Sequence, residues 1–118
     1  MNRIEQLLPE EIEKRSFEII SEELDHMGVI LPEDEAMITK RVIHTSADFE
    51  YTKTLTFSKD AVAIAKELIV NGADIVTDTN MAFSGINKKA LSRFGGEVHC
   101  YMADETVAKL AKERGCTR

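Results

Sequence analysis

Apolar residues near the start of the chain recur at helical spacing. Ile12, Phe17, Ile20 and Leu24 form one such row, which predicts a helix from Pro9 to about His26. Proline suits the first helical turn, and Glu10, Glu11 and Glu13 favour the positive end of the helix dipole. Gly28 supplies the stop. Pro32-Glu33-Asp34-Glu35 repeats the start signal and predicts a second helix running towards Ala47, with Ile38 and Val42 on its apolar row. The period then changes. Phe49, Tyr51, Leu55 and Phe57 alternate with Glu50, Thr52, Thr54 and Thr56, which predicts a half-buried strand, with a short helix at its start as the other option. Ser58 is placed to cap an alanine-rich helix whose Ala61, Ala65 and Leu68 or Ile69 line one side, and Asn71-Gly72 ends it. Residues 73–78 read as a short buried strand, 86–93 as a small helix, Gly95-Gly96 as a turn and 97–101 as another strand. Asp104 caps a last helix carrying Val107, Leu110 and Ala111, which Gly115 terminates.

Strands alternating with helices after residue 58 predict βαβ units and a mainly parallel sheet. Such a sheet needs helices on both faces, giving a three-layer α/β/α fold, with the two leading helices packed onto it. The 49–57, 74–78 and 97–101 patterns supply only three strands, few for a sheet of this kind. The expectation is a single domain over residues 1–118 that forms the N-terminal part of a longer one, the rest being absent. Its open sheet edge would favour self-association.

Composition narrows the classes of function. A chain of 118 residues with 43% hydrophobic and 31% charged residues is an ordinary globular balance. No apolar run approaches the roughly 20 residues of a membrane span, and the N-terminus lacks a signal-peptide core, so the expected location is the cytoplasm. The net charge of −6 argues against a nucleic-acid partner. It also means that an anionic ligand needs a locally basic pocket. Cys100 and Cys116 make no disulfide framework and read as reduced thiols. His26, His44 and His99 lack metal-ligand spacing, so no metal site is expected. Gly95-Gly96 carries no phosphate-loop pattern.

Four segments in register resemble the precorrin-8X methylmutase family: Glu13-Lys-Arg-Ser-Phe-Glu-Ile-Ile20, Arg41-Val-Ile-His-Thr-Ser-Ala-Asp-Phe-Glu50, Phe57-Ser58 leading to Asn71-Gly-Ala-Asp-Ile-Val-Thr-Asp-Thr-Asn-Met81, and Gly115-Cys-Thr-Arg118. The resemblance implies a flavodoxin-like α/β fold and an isomerase of corrin biosynthesis. Such an enzyme moves a methyl group from C-11 to C-12 of precorrin-8X, or of its cobalt form, to give hydrogenobyrinic or cobyrinic acid. It implies a homodimer with a tetrapyrrole polycarboxylate as substrate and no cofactor of its own, any cobalt belonging to the substrate. A family histidine that acts as acid/base on a pyrrole nitrogen falls on His44, a family serine on Ser16 and a family arginine on Arg118. Family members are longer than this chain, so this piece alone is expected to be inactive, and the alternative is a non-catalytic α/β fragment or interaction module that retains the methylmutase sequence.

The chemistry suits these residue types. A sigmatropic methyl migration needs no nucleophile and no redox partner, only a proton placed on the conjugated ring and a pocket that selects the reactive tautomer. Imidazole gives or holds a proton near neutrality. On the second helix His44 shares a row with Met37, Lys40, Arg41 and Asp48, opposite Ile38 and Val42, and is expected to face polar surroundings. Arg15, Arg41 and Arg118 bring a cation to each motif, and a guanidinium grips a carboxylate bidentately. Met81 is a candidate for the apolar floor under a macrocycle. Asp78, Asn80 and Met81 follow a strand, where α/β sheets bind ligands, but the same residues also suit an Asx-rich turn.

Overall fold

The computed structural model describes residues 8–117. It divides into two compact units, one within residues 1–62 and one within 63–118.

The first unit is a helical pair closed by a short turn of helix. Helix α1 (Pro9–His26) starts on Pro9, and the Glu11 carboxylate accepts the Leu8 N–H at 2.8 Å. It stops at Gly28, which takes a left-handed φ of 68°. Helix α2 (Glu33–Ser46) opens on its three acidic residues and ends on Ala47, whose φ is 56°. The two helices pack through Ile20 and Leu24 of α1 and Ile43 of α2, with Val29, Leu31 and Phe49 against that cluster. The buried row of α2 is therefore Thr39 and Ile43, one position on from the expected Ile38 and Val42 row, and Ile38 is 40% exposed. On α1 Ile12 lies outside the buried cluster, at 51% exposure, because α1 contributes Ile20 and Leu24 of its second half to that cluster.

The strand expected over 49–57 does not form, and the short helix left open at its start does. Helix α3 covers Tyr51–Thr54. Local hydrogen bonds decide the outcome against the alternation. Asp48 Oδ1 accepts the Glu50 N–H at 2.9 Å, and the Thr52 hydroxyl bonds back to the Phe49 carbonyl at 2.8 Å. These close a helical turn that a strand would have to open.

The second unit carries the sheet. Helix α4 (Ala61–Val70) begins at the end of the first unit and continues into the second; it follows a turn in which the Ala61 N–H reaches the Ser58 carbonyl, and Asp60 takes a φ of 57°. Its buried side chain is Val62, while Ala65 and Leu68 of the expected inward row are exposed. Strand β1 (Ile75–Thr77) pairs in parallel with β2 (Val98–Cys100), Val76 standing beside His99. Among the described residues the sheet has these two strands, so the mixed α/β class and its parallel pairing hold with one strand fewer than expected. The connection between them contains α5 (Asn80–Gly85), capped by Thr79, and α6 (Lys88–Ser92), capped by Asn87. Helix α7 (Glu105–Arg114) is capped by Asp104, whose carboxylate accepts the N–H groups of Thr106 and Val107. Close backbone approach explains one glycine. A Cβ on Gly96 would meet the Ala73 carbonyl oxygen at 2.4 Å, so the entry to β2 lies flat against the entry to β1.

No described helix is long and apolar enough to cross a membrane.

Candidate active site on the first helical pair

The helical pair brings two of the expected site residues into one depression. Ser16 on α1 and His44 on α2 line it together with Ile19, Ile20, Ala47 and Phe49, around a volume of about 240 Å³. Its floor is the core edge of the first unit, and its polar groups are one hydroxyl and one imidazole. The Ser16 hydroxyl forms no hydrogen bond among the described residues, whereas Ser21, five residues on, bonds back to the Phe17 carbonyl at 2.8 Å. A hydroxyl left open in an apolar cleft is available to a ligand.

His44 is exposed and its ring nitrogens likewise have no hydrogen-bond partner among the described residues. Its neighbour is aromatic, not polar as its helical row suggested. The imidazole stacks on Phe17 of α1, with ring centroids 5.3 Å apart and planes 28° apart. Arg41, one turn before His44, also lies over Phe17, its guanidinium carbon 5.1 Å from the ring centre, and pairs with Glu13 at 2.9 Å. Arg41 and His44 of the polar row of α2 therefore both meet α1 at one phenyl ring.

A wider depression of about 710 Å³ lies on the Arg41 side of Phe17. Glu10, Glu13, Glu18 and Glu22 line it against Lys14, Lys40 and Arg41. Four carboxylates against three cations make it a poor seat for a polyanion. Arg15 is occupied by Glu18 at 3.2 Å and Glu22 at 3.7 Å, both exposed pairs of little energetic weight. Arg118 lies outside the described residues.

In the second unit, Met81 on α5 is 84% exposed and Asp78 and Asn80 are exposed as well. Thr79 accepts the Ala82 N–H at 3.1 Å, so this stretch forms a capped helix start. A pair that the sequence did not flag stands at the sheet. Asp74 Oδ1 accepts the Glu97 N–H at 2.8 Å, and its Oδ2 lies 3.1 Å from His99 Nε2. Only the parallel register brings together residues so far apart in the chain.

A family model of precorrin-8X methylmutases matches residues 11–118. The chain belongs to the precorrin-8X methylmutase family. The cobalt-precorrin-8 methylmutase of Salmonella typhimurium is 45% identical over 114 residues, covering 93% of this chain and 54% of that protein. That of Priestia megaterium is 37% identical, covering 93% of this chain and 48% of the relative. The crystal structure of a precorrin-8X methylmutase from Thermus thermophilus superimposes with a TM-score of 0.71 at 36% identity, covering 88% of this chain and 56% of that one. The chain thus spans about half the length of the methylmutases it matches. Both helices of the Ser16–His44 depression lie almost wholly within the matched residues.

Proposed function

We propose that this protein acts in corrin biosynthesis as an isomerase that moves the C-11 methyl group of a precorrin-8X macrocycle to C-12. The names of the Salmonella and Priestia relatives favour the cobalt-bearing substrate, cobalt-precorrin-8. One observation carries the reading. An imidazole with both nitrogens open stands beside an open serine hydroxyl in an apolar depression, on the helices of a methylmutase chain.

In this reading His44 gives a proton to a pyrrole nitrogen of the bound ring. The protonated π-system then lets the methyl group migrate as its bond to C-11 breaks and its bond to C-12 forms. His44 recovers the proton, so the reaction is balanced within the substrate. Ser16 holds a polar group at the ring edge, and Arg118 grips a peripheral carboxylate. At about 240 Å³ the depression is below the ordinary 300–1,000 Å³ of ligand pockets. It takes an edge of the macrocycle, with the remaining surface supplied by further protein. The protein works in the cytoplasm as a homo-oligomer and holds no cofactor of its own.

The test is to incubate the protein with cobalt-precorrin-8 and with metal-free precorrin-8X, following the visible spectrum and the product mass. Conversion of either supports the reading. Binding without conversion favours the interaction-module alternative, and no binding of either corrinoid refutes both.

A further inference from the structure

We propose that Phe17 is the positioning residue for the His44 imidazole, an aromatic rest that fixes the ring while leaving both nitrogens to the substrate. Histidines that handle protons are usually oriented by a hydrogen bond to one ring nitrogen. His44 has none among the described residues. Among the described residues its one recorded side-chain partner is Phe17, stacked at 5.3 Å and 28°.

The rest is itself held. Phe17 is half-buried between the helices, and Arg41 lies 5.1 Å from its ring centre. Glu13 also pairs with Arg41 at 2.9 Å, an exposed contact of small weight. Glu13 and Phe17 are four residues apart on α1, and Arg41 and His44 are three apart on α2, so each pair shares a helix face. The four side chains form a chain of three contacts across the helical pair, from Glu13 to Arg41 to Phe17 to His44. Packing therefore orients His44, with neither ring nitrogen engaged. That arrangement suits a residue that must offer a nitrogen to a large planar ligand, and the inference rests on His44 being the acid/base proposed above. An aromatic pair biases a rotamer by roughly two- to tenfold, and a loosely placed catalytic group loses rate rather than affinity.

The experiment combines spectroscopy and kinetics on the protein and three variants. In the wild type, the ring protons of His44 should show an upfield ring-current shift in NMR spectra. Phe17→Leu, which keeps the apolar volume, should remove that shift and lower kcat by about tenfold with KM little changed. Phe17→Tyr should restore both. Arg41→Gln, an exposed change that leaves the fold intact, should reduce the shift in part. His44 signals that are the same in wild type, Phe17→Leu and Arg41→Gln would overturn the proposal, whatever the activity. If the signals move as expected but no form converts a corrinoid, the aromatic rest stands and the assignment of His44 as acid/base fails.

Discussion

The carboxylate of Asp74 lies 3.1 Å from Nε2 of His99 and thereby ties the start of β1 to the middle of β2. The backbone N–H of Glu97 first, and His99 second, hold the Asp74 carboxyl below the usual carboxylate range. A carboxyl with a depressed folded-state pKa contributes stability above its unfolded value and loses it as pH falls through the folded one. Asp74→Asn should therefore melt below the wild type at pH 7, and the gap should close below about pH 4. Thermal melts of both forms between pH 7 and 3 check this, and a constant gap across that range would count against it.

Replacing His44 with alanine removes the proposed proton carrier but little of the surface a corrinoid would touch. Turnover should fall by roughly a hundred- to ten-thousand-fold, with product affinity largely kept. Single-turnover spectra and equilibrium titration with product separate the two effects. Near-normal turnover would move the proton chemistry elsewhere.

Arg118 and Ser16 should act on affinity. Arg118→Ala is expected to weaken corrinoid binding by about 1.5–3 kcal/mol, the worth of a hydrogen bond to a charged group. Ser16→Ala should cost about 0.5–1.5 kcal/mol, as for a neutral one. Dissociation constants from visible-spectrum titration decide each case, and a constant that does not move removes that residue from the site.

Ile43 is 1% exposed at the centre of the first unit's core. Ile43→Ala should destabilise that unit by about 2–5 kcal/mol through lost burial and the cavity left behind. Denaturant titration measures it. A loss below 1 kcal/mol would mean that the helical pair relaxes around the gap.

Much of this architecture was legible in the residues. Pro9 and Gly28, Pro32 with its acidic turn, and Asp104 with Gly115 mark helix ends by chemistry local to those ends, and the structure follows them. The 49–57 segment was not legible from alternation alone. Asp48 and Thr52 turn it helical through bonds to their own backbone, and a period of two takes no account of such bonds. Helix α5 is short, and its signal was Thr79, a capping residue standing among other turn-forming side chains. The sequence placed Ser16 and His44 on separate helices. Their meeting in one depression depends on the α1–α2 packing angle, and the stacking of His44 on Phe17 depends on it too. The Asp74–His99 pair required the strand register, which a list of strands does not contain.

Ala47 ends α2 in a left-handed conformation and lines the depression beside His44. Glycine would adopt that backbone without strain, whereas an alanine bears about 1 kcal/mol there. The methyl group it keeps is part of the wall that a ligand would touch. Fold stability and ligand affinity therefore pull on this one residue in opposite directions: Ala47→Gly should give a sturdier helix end and a looser grip.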